Sequence, residues 1–220
     1  MSHIYKSAPV KLAVCVILIL SSIAPLAGCG ASYPIEAVPA VIVSNVYALF
    51  ADNKDFNAGT LYDSTSADSS LHITDDMWNN TFKLQASGVT TDMIDEYGYL
   101  APADPQSYAG QVMVLKAAGD SNSDAAANAA KLQTMLQAYM ADVQTHFKDY
   151  GAPLDKQMAS EMEVDVRGRF VILLATPDNV AALKTAVDTI KGDVQWTNPS
   201  TSSTAAEPSM PETSNVAVPT

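Results

Sequence analysis

Few residues in this 220-residue chain could do chemistry, and they are scattered along it. There are two cysteines, Cys15 and Cys29, and three histidines, of which His72 and His146 lie well inside the chain. A thiolate is a nucleophile and a metal ligand, and an imidazole is a general base. Neither histidine reads as half of a catalytic pair, and no G-x-S-x-G elbow is present to hold a serine. Asp120, Asn122 and Asp124 open like a calcium loop. Its sixth position is Ala125 instead of glycine and its twelfth is Lys131 instead of a bidentate acid, so a turn leading into a helix cap is expected. Glu161, Glu163 and Asp165 alternate along one side of an expected strand. They offer a face for a divalent cation or a basic partner; the plainer role is a solvated edge that discourages sheet-to-sheet pairing. Tyr97, Tyr99 and Tyr108 sit in a proline-containing segment, where rings stack on a sugar or peptide or cover a core. No phosphate-cradling glycine loop or dinucleotide fingerprint occurs. The expectation is therefore no metal, no cofactor and no catalytic site.

Cys29 has a context that the other candidates lack. Lys6 and Lys11 give a basic start, residues 12–20 are almost wholly apolar, and Ser21, Ser22 and Pro25 follow. That order is a secretory signal peptide. A retained membrane helix needs roughly 20 apolar residues, whereas residues 12–26 number fifteen and include Pro25. Cleavage after Ala24 is disfavoured because Pro25 would follow the scissile bond. Leu26-Ala27-Gly28-Cys29 resembles the lipobox of bacterial lipoproteins at every position. The resemblance implies a diacylglyceryl group on the Cys29 thiol, cleavage between Gly28 and Cys29, and a partner in membrane lipid. Two or more acyl chains exceed the one-chain limit for stable anchoring, at about 0.8 kcal/mol per buried methylene. The implied location is the extracytoplasmic face of the cell membrane.

On that reading residues 1–28 are the signal, 29–39 a lipidated tether, 40–197 one α+β domain and 198–220 a disordered Ser/Thr/Pro-rich tail. With Cys15 removed and Cys29 acylated, no thiol remains for a disulfide, so the domain must rest on a packed core. The formal charge is −12. Losing Lys6 and Lys11 leaves 10 basic residues against 24 acidic ones, a charge of −14. Nucleic acid is excluded as a partner, since no basic face is present. Repulsion from anionic lipid extends only about 8 Å, and the tether reaches further at roughly 3.3 Å per residue.

The elements that must position these residues come from periodicity. Residues 40–50 recur at three and four and read as a helix, although a buried strand fits the same run. Residues 51–71 read as a loop. Thr74 caps a short helix over 75–83, and Thr90 or Thr91 caps another through Met93, Ile94 and Tyr97. Residues 111–117 are an interior strand, apolar on both alternating sets. A long helix spans 124–150, with Leu132, Met135, Leu136, Tyr139, Met140, Val143, Phe147 and Tyr150 as its stripe. Strands follow at 161–166 and 169–175. A three-residue loop, 167–169, would place Val166 opposite Phe170 and Val164 opposite Ile172, keeping one face apolar. Thr176 and Pro177 open a last helix with Val180, Leu183, Val187 and Ile190 buried. Val194 and Trp196 suggest a final strand. The fold class is α+β, a small antiparallel sheet packed on helices and preceded by short helices. The order β-α-β-β-α-β suggests a ferredoxin-like arrangement, with strand 169–175 inside and strand 161–166 at an edge.

Four segments together resemble a known family. They are Gly88 to Tyr97 with Pro102, Val114-Leu115-Lys116, Phe147 to Tyr150 with Pro153, and Arg167 to Leu174. They are similar to bacterial lipoproteins carrying the uncharacterised domain of unknown function 4358, mostly from Gram-positive anaerobes. The match runs roughly from Met77 to Lys191; the Ala- and Gln-rich long helix departs from it. The resemblance implies an exported, lipid-anchored domain and supplies no catalytic residue. Two roles follow as expectations: a non-enzymatic interaction or accessory module with an envelope protein partner, or a small-solute or glycan-binding lipoprotein.

Overall fold

The computed structural model describes residues 37–191. The readings placed on Gly28, Cys29 and the rest of the signal, on most of the tether, on the strand at 194–197 and on the tail lie outside them. Among the described residues no helix is long and apolar enough to cross a membrane.

The described elements are α1 (Pro39–Ala48), β1 (Ala58–Asp63), β2 (Ile94–Pro102), β3 (Gln111–Ala117), α2 (Asn122–Phe147), α3 (Pro153–Ser160), β4 (Glu163–Arg167), β5 (Phe170–Ala175) and α4 (Asn179–Lys191). The strands form one antiparallel sheet in the order β1-β2-β3-β5-β4. The chain is α+β, with a short helix ahead of the sheet. As read from the sequence, strand 170–175 is interior and the half-charged strand before it is at an edge. The ferredoxin-like order is not what the described strands form. The place beside β3 is taken by β2, which comes from upstream in the chain.

Helices cover both faces. On one, Gly98 of β2 lies against Ala40 of α1, and Asn45 of α1 donates to Thr189 of α4 at 3.2 Å. On the other, Tyr139 of α2 reaches Gln111 of β3. Phe82 joins that side, with its ring centroid 5.3 Å from Tyr99 and 5.0 Å from Tyr139. Because β3 and β5 are covered twice, every residue in both is buried. That explains why their sequences are apolar without alternation.

Several expectations need correction. The loop at 51–71 contains β1. Its AGTLYD sequence has only Leu61 and Tyr62 as large apolar residues, so its strand character comes from pairing with β2 and not from its own pattern. The helix expected after Thr90 is a single tight turn, Thr91–Met93, followed by β2. Tyr97 and Tyr99 suit a pleated strand, and Gly98 weakens a helix. Gly98 is required where it is. A Cβ there would lie 2.6 Å from the Ala40 Cα.

Thr74 does cap its turn, accepting from Met77 N at 3.2 Å, and a wide π-type turn spans Met77–Thr81. The long helix ends at Phe147, so Tyr150 is 69% exposed and outside the stripe. Pro153 follows that end and opens α3, where a first-turn proline costs no hydrogen bond. At α4 the cap is Asp178, which accepts from Ala181 N at 3.0 Å, and Thr176 instead donates to Asn179. Val180 is 82% exposed; Ala182, Ala186, Thr189 and Ile190 face inward. Small alanines let α4 lie close to its neighbours.

The β4–β5 register also differs by one residue from the expected one. Arg167 pairs with Phe170, Val166 with Val171 and Val164 with Leu173. The loop is the two residues Gly168-Arg169, and Gly168 has φ +60°, a conformation that tight hairpins take from glycine. The acidic side chains therefore share a face with Ile172 and Leu174. β5 could not disclose this, because it is apolar on both faces.

Replacing Gly98 with alanine forces α1 off the sheet. Gly98→Ala should lose about 2 kcal/mol or more of stability in urea denaturation. Unchanged stability would contradict the close approach of Ala40.

Candidate functional site

A cleft of about 270 Å³ opens beside the C-terminal half of α2. α2 contributes Tyr139, Asp142, Val143, His146 and Phe147. The loop between β2 and β3 contributes Pro105, Gln106 and Tyr108. Gln111 at the start of β3 and Thr81 complete the polar lining.

The helical period sets the first wall. Tyr139, Asp142, Val143 and His146 recur at three and four, so they lie on one side of α2. Two ties hold the loop. Ala109 N donates to the buried Asp155 carboxylate of α3 at 3.0 Å. His146 Nε2 lies 3.1 Å from the Gln106 carbonyl oxygen. A carbonyl only accepts, so Nε2 carries the proton and Nδ1 of the neutral ring is an acceptor. The other end of the loop is closed by Asp104, which accepts from Gln106 N and Ser107 Oγ. Those hydrogen bonds hold its carboxyl below the ordinary value.

The inner end of the cleft is a buried polar hub. Tyr99 and Tyr139 both donate to Gln111 Oε1, at 3.1 and 2.8 Å. Gln111 Nε2 reaches the Ala109 carbonyl at 3.4 Å, a weak contact. Burial pushes the Tyr139 hydroxyl up and the Tyr99 hydroxyl well up, so both remain donors. At the rim, Lys83 pairs with Asp142. Lys83 has φ +55°, the single positive value outside glycine among the described residues. It stands just after the π-type turn, where glycine usually ends a helix. Holding a lysine there costs about 1 kcal/mol.

The residues singled out in the sequence fall elsewhere or serve the fold. Cys29 and Gly28 are outside the described residues. Glu161 is not on β4. It ends α3, exposed, and accepts from Gln157. Glu163 and Asp165 do share one side of β4, together with Arg167. Arg167 Nε is 2.7 Å from Asp165 Oδ2, yet the two atoms are misaligned and make no hydrogen bond. Burial pushes the Asp165 carboxyl up, opposed by Arg167. Half-buried and partly self-neutralised, this is not the open acidic face that alternation suggested.

His72 lies 3.0 Å from the Ser66 carbonyl. The stretch at Asp120–Asp124 is a helix start, with Asp124 N donating to Ser121 Oγ at 3.2 Å. Among the described residues no three His, Cys, Asp or Glu side chains are grouped to hold a metal. Tyr97 serves the fold, accepting from Ile73 N at 2.8 Å. Tyr99 is buried in the hub, and Tyr108 alone of the three lines the cleft.

The cleft itself was missed. Asp142 and His146, four apart on the predicted long helix, were the available signal. Their union with Tyr108 and Gln111 depends on the loop's path. Comparison with known protein families, curated proteins and solved structures finds no match.

Two outcomes test this geometry. Gln111→Leu strands two buried hydroxyls and should cost about 2–4 kcal/mol in chemical denaturation, whereas Tyr99→Phe should cost about 1. Equal, small losses would remove the hub. The second concerns Glu163, whose carboxyl is raised from 4.5 by burial, then by Asp165, with Arg167 opposing. The fold prefers the protonated acid, so this contribution is present below the ordinary carboxylate value and is lost as pH rises through the raised one. Glu163→Gln should therefore stabilise at pH 7 by a few tenths of a kcal/mol, after allowing for solvent screening. The difference should vanish below about pH 4. A variant less stable than wild type at pH 7 would reverse the sign and sink the assignment.

Proposed function

We propose that this chain is a lipid-anchored extracytoplasmic protein, held by acylated Cys29 on the outer face of the cell membrane. Its α+β domain acts as a non-enzymatic interaction or accessory module for an envelope partner. The observation that carries the reading is Leu26-Ala27-Gly28-Cys29 at the end of a short apolar run with a basic start. The thiol would arrive at the membrane face with small residues before it, as acylation and cleavage require. The resemblance to lipoproteins with the domain of unknown function 4358 points the same way. Within the domain, both described imidazoles spend Nε2 on backbone carbonyls, and no serine hydroxyl is hydrogen-bonded to either. The chemistry on offer there is recognition.

A second reading, a small-solute or glycan-binding lipoprotein, is favoured by one observation: the cleft between α2 and the β2–β3 loop. It has polar groups converging beside apolar ones, the usual make-up of a ligand site, and lies at the small end of the range.

Cys29→Ala should leave an uncleaved precursor, and the wild-type shift in mobility and its labelling by a fatty-acid analogue should both disappear. If the variant is processed, labelled and retained in membranes like wild type, the anchor proposal fails.

A further inference from the structure

We infer that the cleft binds a neutral, hydroxyl-rich molecule the size of one sugar ring. This deepens the solute-binding reading above and rests on it. Three independent features of the cleft lead there.

The first is charge. The cleft lining contains no lysine or arginine, so an anion finds no counter-charge in the wall. Its one carboxylate, Asp142, is already paired with Lys83. That pairing is kept although Lys83 must adopt a left-handed backbone to sit where it does. A rim whose carboxylate is neutralised by a neighbouring ammonium leaves little attraction for a cation. Both charged classes are disfavoured, and a neutral ligand remains.

The second is hydrogen-bond polarity. Tyr139 has committed its one proton to Gln111, so its oxygen offers only lone pairs. His146 has committed Nε2–H to Gln106, leaving Nδ1 as an acceptor. Asp142 has lone pairs beyond the one that faces Lys83. The committed donors leave acceptors on the α2 wall, and Thr81, Gln106 and Tyr108 add hydroxyl and amide groups that both donate and accept, as a sugar hydroxyl does. The complement of this lining is a ligand with several O–H donors. A purely apolar ligand would strand these groups, at a cost that an aqueous competitor avoids.

The third is size and shape. A volume of about 270 Å³ lies at the small end of the range for small-molecule clefts. One pyranose ring with its hydroxyls fits that space, and a disaccharide would extend from the open mouth. Tyr108, half-buried on the loop between prolines and the sheet, supplies an aromatic surface for the C–H face of such a ring. Phe147 and Tyr139 are buried and serve as walls.

The test uses the full chain, purified in a detergent without a sugar headgroup. Saturation-transfer NMR is run with four separate probes: glucose, N-acetylglucosamine, free lysine and inorganic phosphate. The expected result is saturable transfer to at least one of the two sugars, with Kd on the order of 1 mM, the weak range for a few hydrogen bonds. Tyr108→Ala and Asp142→Asn should each weaken it by about fivefold or more. Asp142 is exposed, so its variant keeps the fold, checked by circular dichroism. Unchanged sugar binding in both variants would overturn the site. Saturation by lysine or phosphate in place of the sugars would overturn the ligand class while leaving a solute-binding cleft. Saturation by none of the four would overturn both.

Discussion

β3 is buried from end to end, and two of its residues are polar. Gln111 is 1% exposed and Lys116 is 5% exposed. Both are almost wholly withdrawn from water, and an unanswered buried amide or ammonium is costly. Much of the surrounding structure supplies those answers. They come from opposite faces, because residues 111 and 116 differ in parity along the strand.

On the α2 face, Gln111 gathers the hydroxyls of Tyr99 and Tyr139, one from a neighbouring strand and one from the covering helix. That fixes the depth at which α2 sits, and so the wall of the cleft. On the other face, Lys116 meets Glu96 at 3.1 Å and Asp95 at 3.3 Å. Two consecutive strand residues normally point to opposite sides. Here the β2–β3 register shifts between Ile94 and Glu96, and the bulge brings both carboxylates within reach of one ammonium. The ammonium is buried while both carboxylates are partly exposed, so removing the carboxylates is costly because the buried charge is left behind. The bulge is thus tied to the burial of Lys116. The Glu96 oxygen Oε2 is buried without a partner, a residual cost of the arrangement.

The cleft follows from how the β2–β3 loop is held. Asp155 anchors it from α3 and His146 from α2. A loop fixed at two points by different helices can present Tyr108 against α2 in one geometry. That preorganisation would lower the ordering cost of the proposed small-molecule binding. The strand edges are handled by composition: β4 carries Glu163, Asp165 and Arg167, which discourage pairing with another sheet.

The sequence by itself determined the α+β class, the long helix, the interior place of strand 170–175 and the edge place of the strand before it. These are legible because burial on two faces, on one face or on one helical stripe leaves a periodic trace. The proposed anchor at Leu26–Cys29 rests on local sequence order alone and lies outside the described residues. Only the tertiary structure decided β1, the strand character of residues 94–102, the β4–β5 register and the site. β1 owes its form to its partner strand. Residues 94–102 can satisfy either period until Gly98 must pass Ala40. The register was hidden because an all-apolar β5 accepts a one-residue slip without changing its own pattern, and Gly168 in the turn selects between the two. The cleft joins Thr81, Tyr108, Gln111, Asp142 and His146 from separate stretches of chain. Such a union depends on where a loop is pinned, and no periodicity records it.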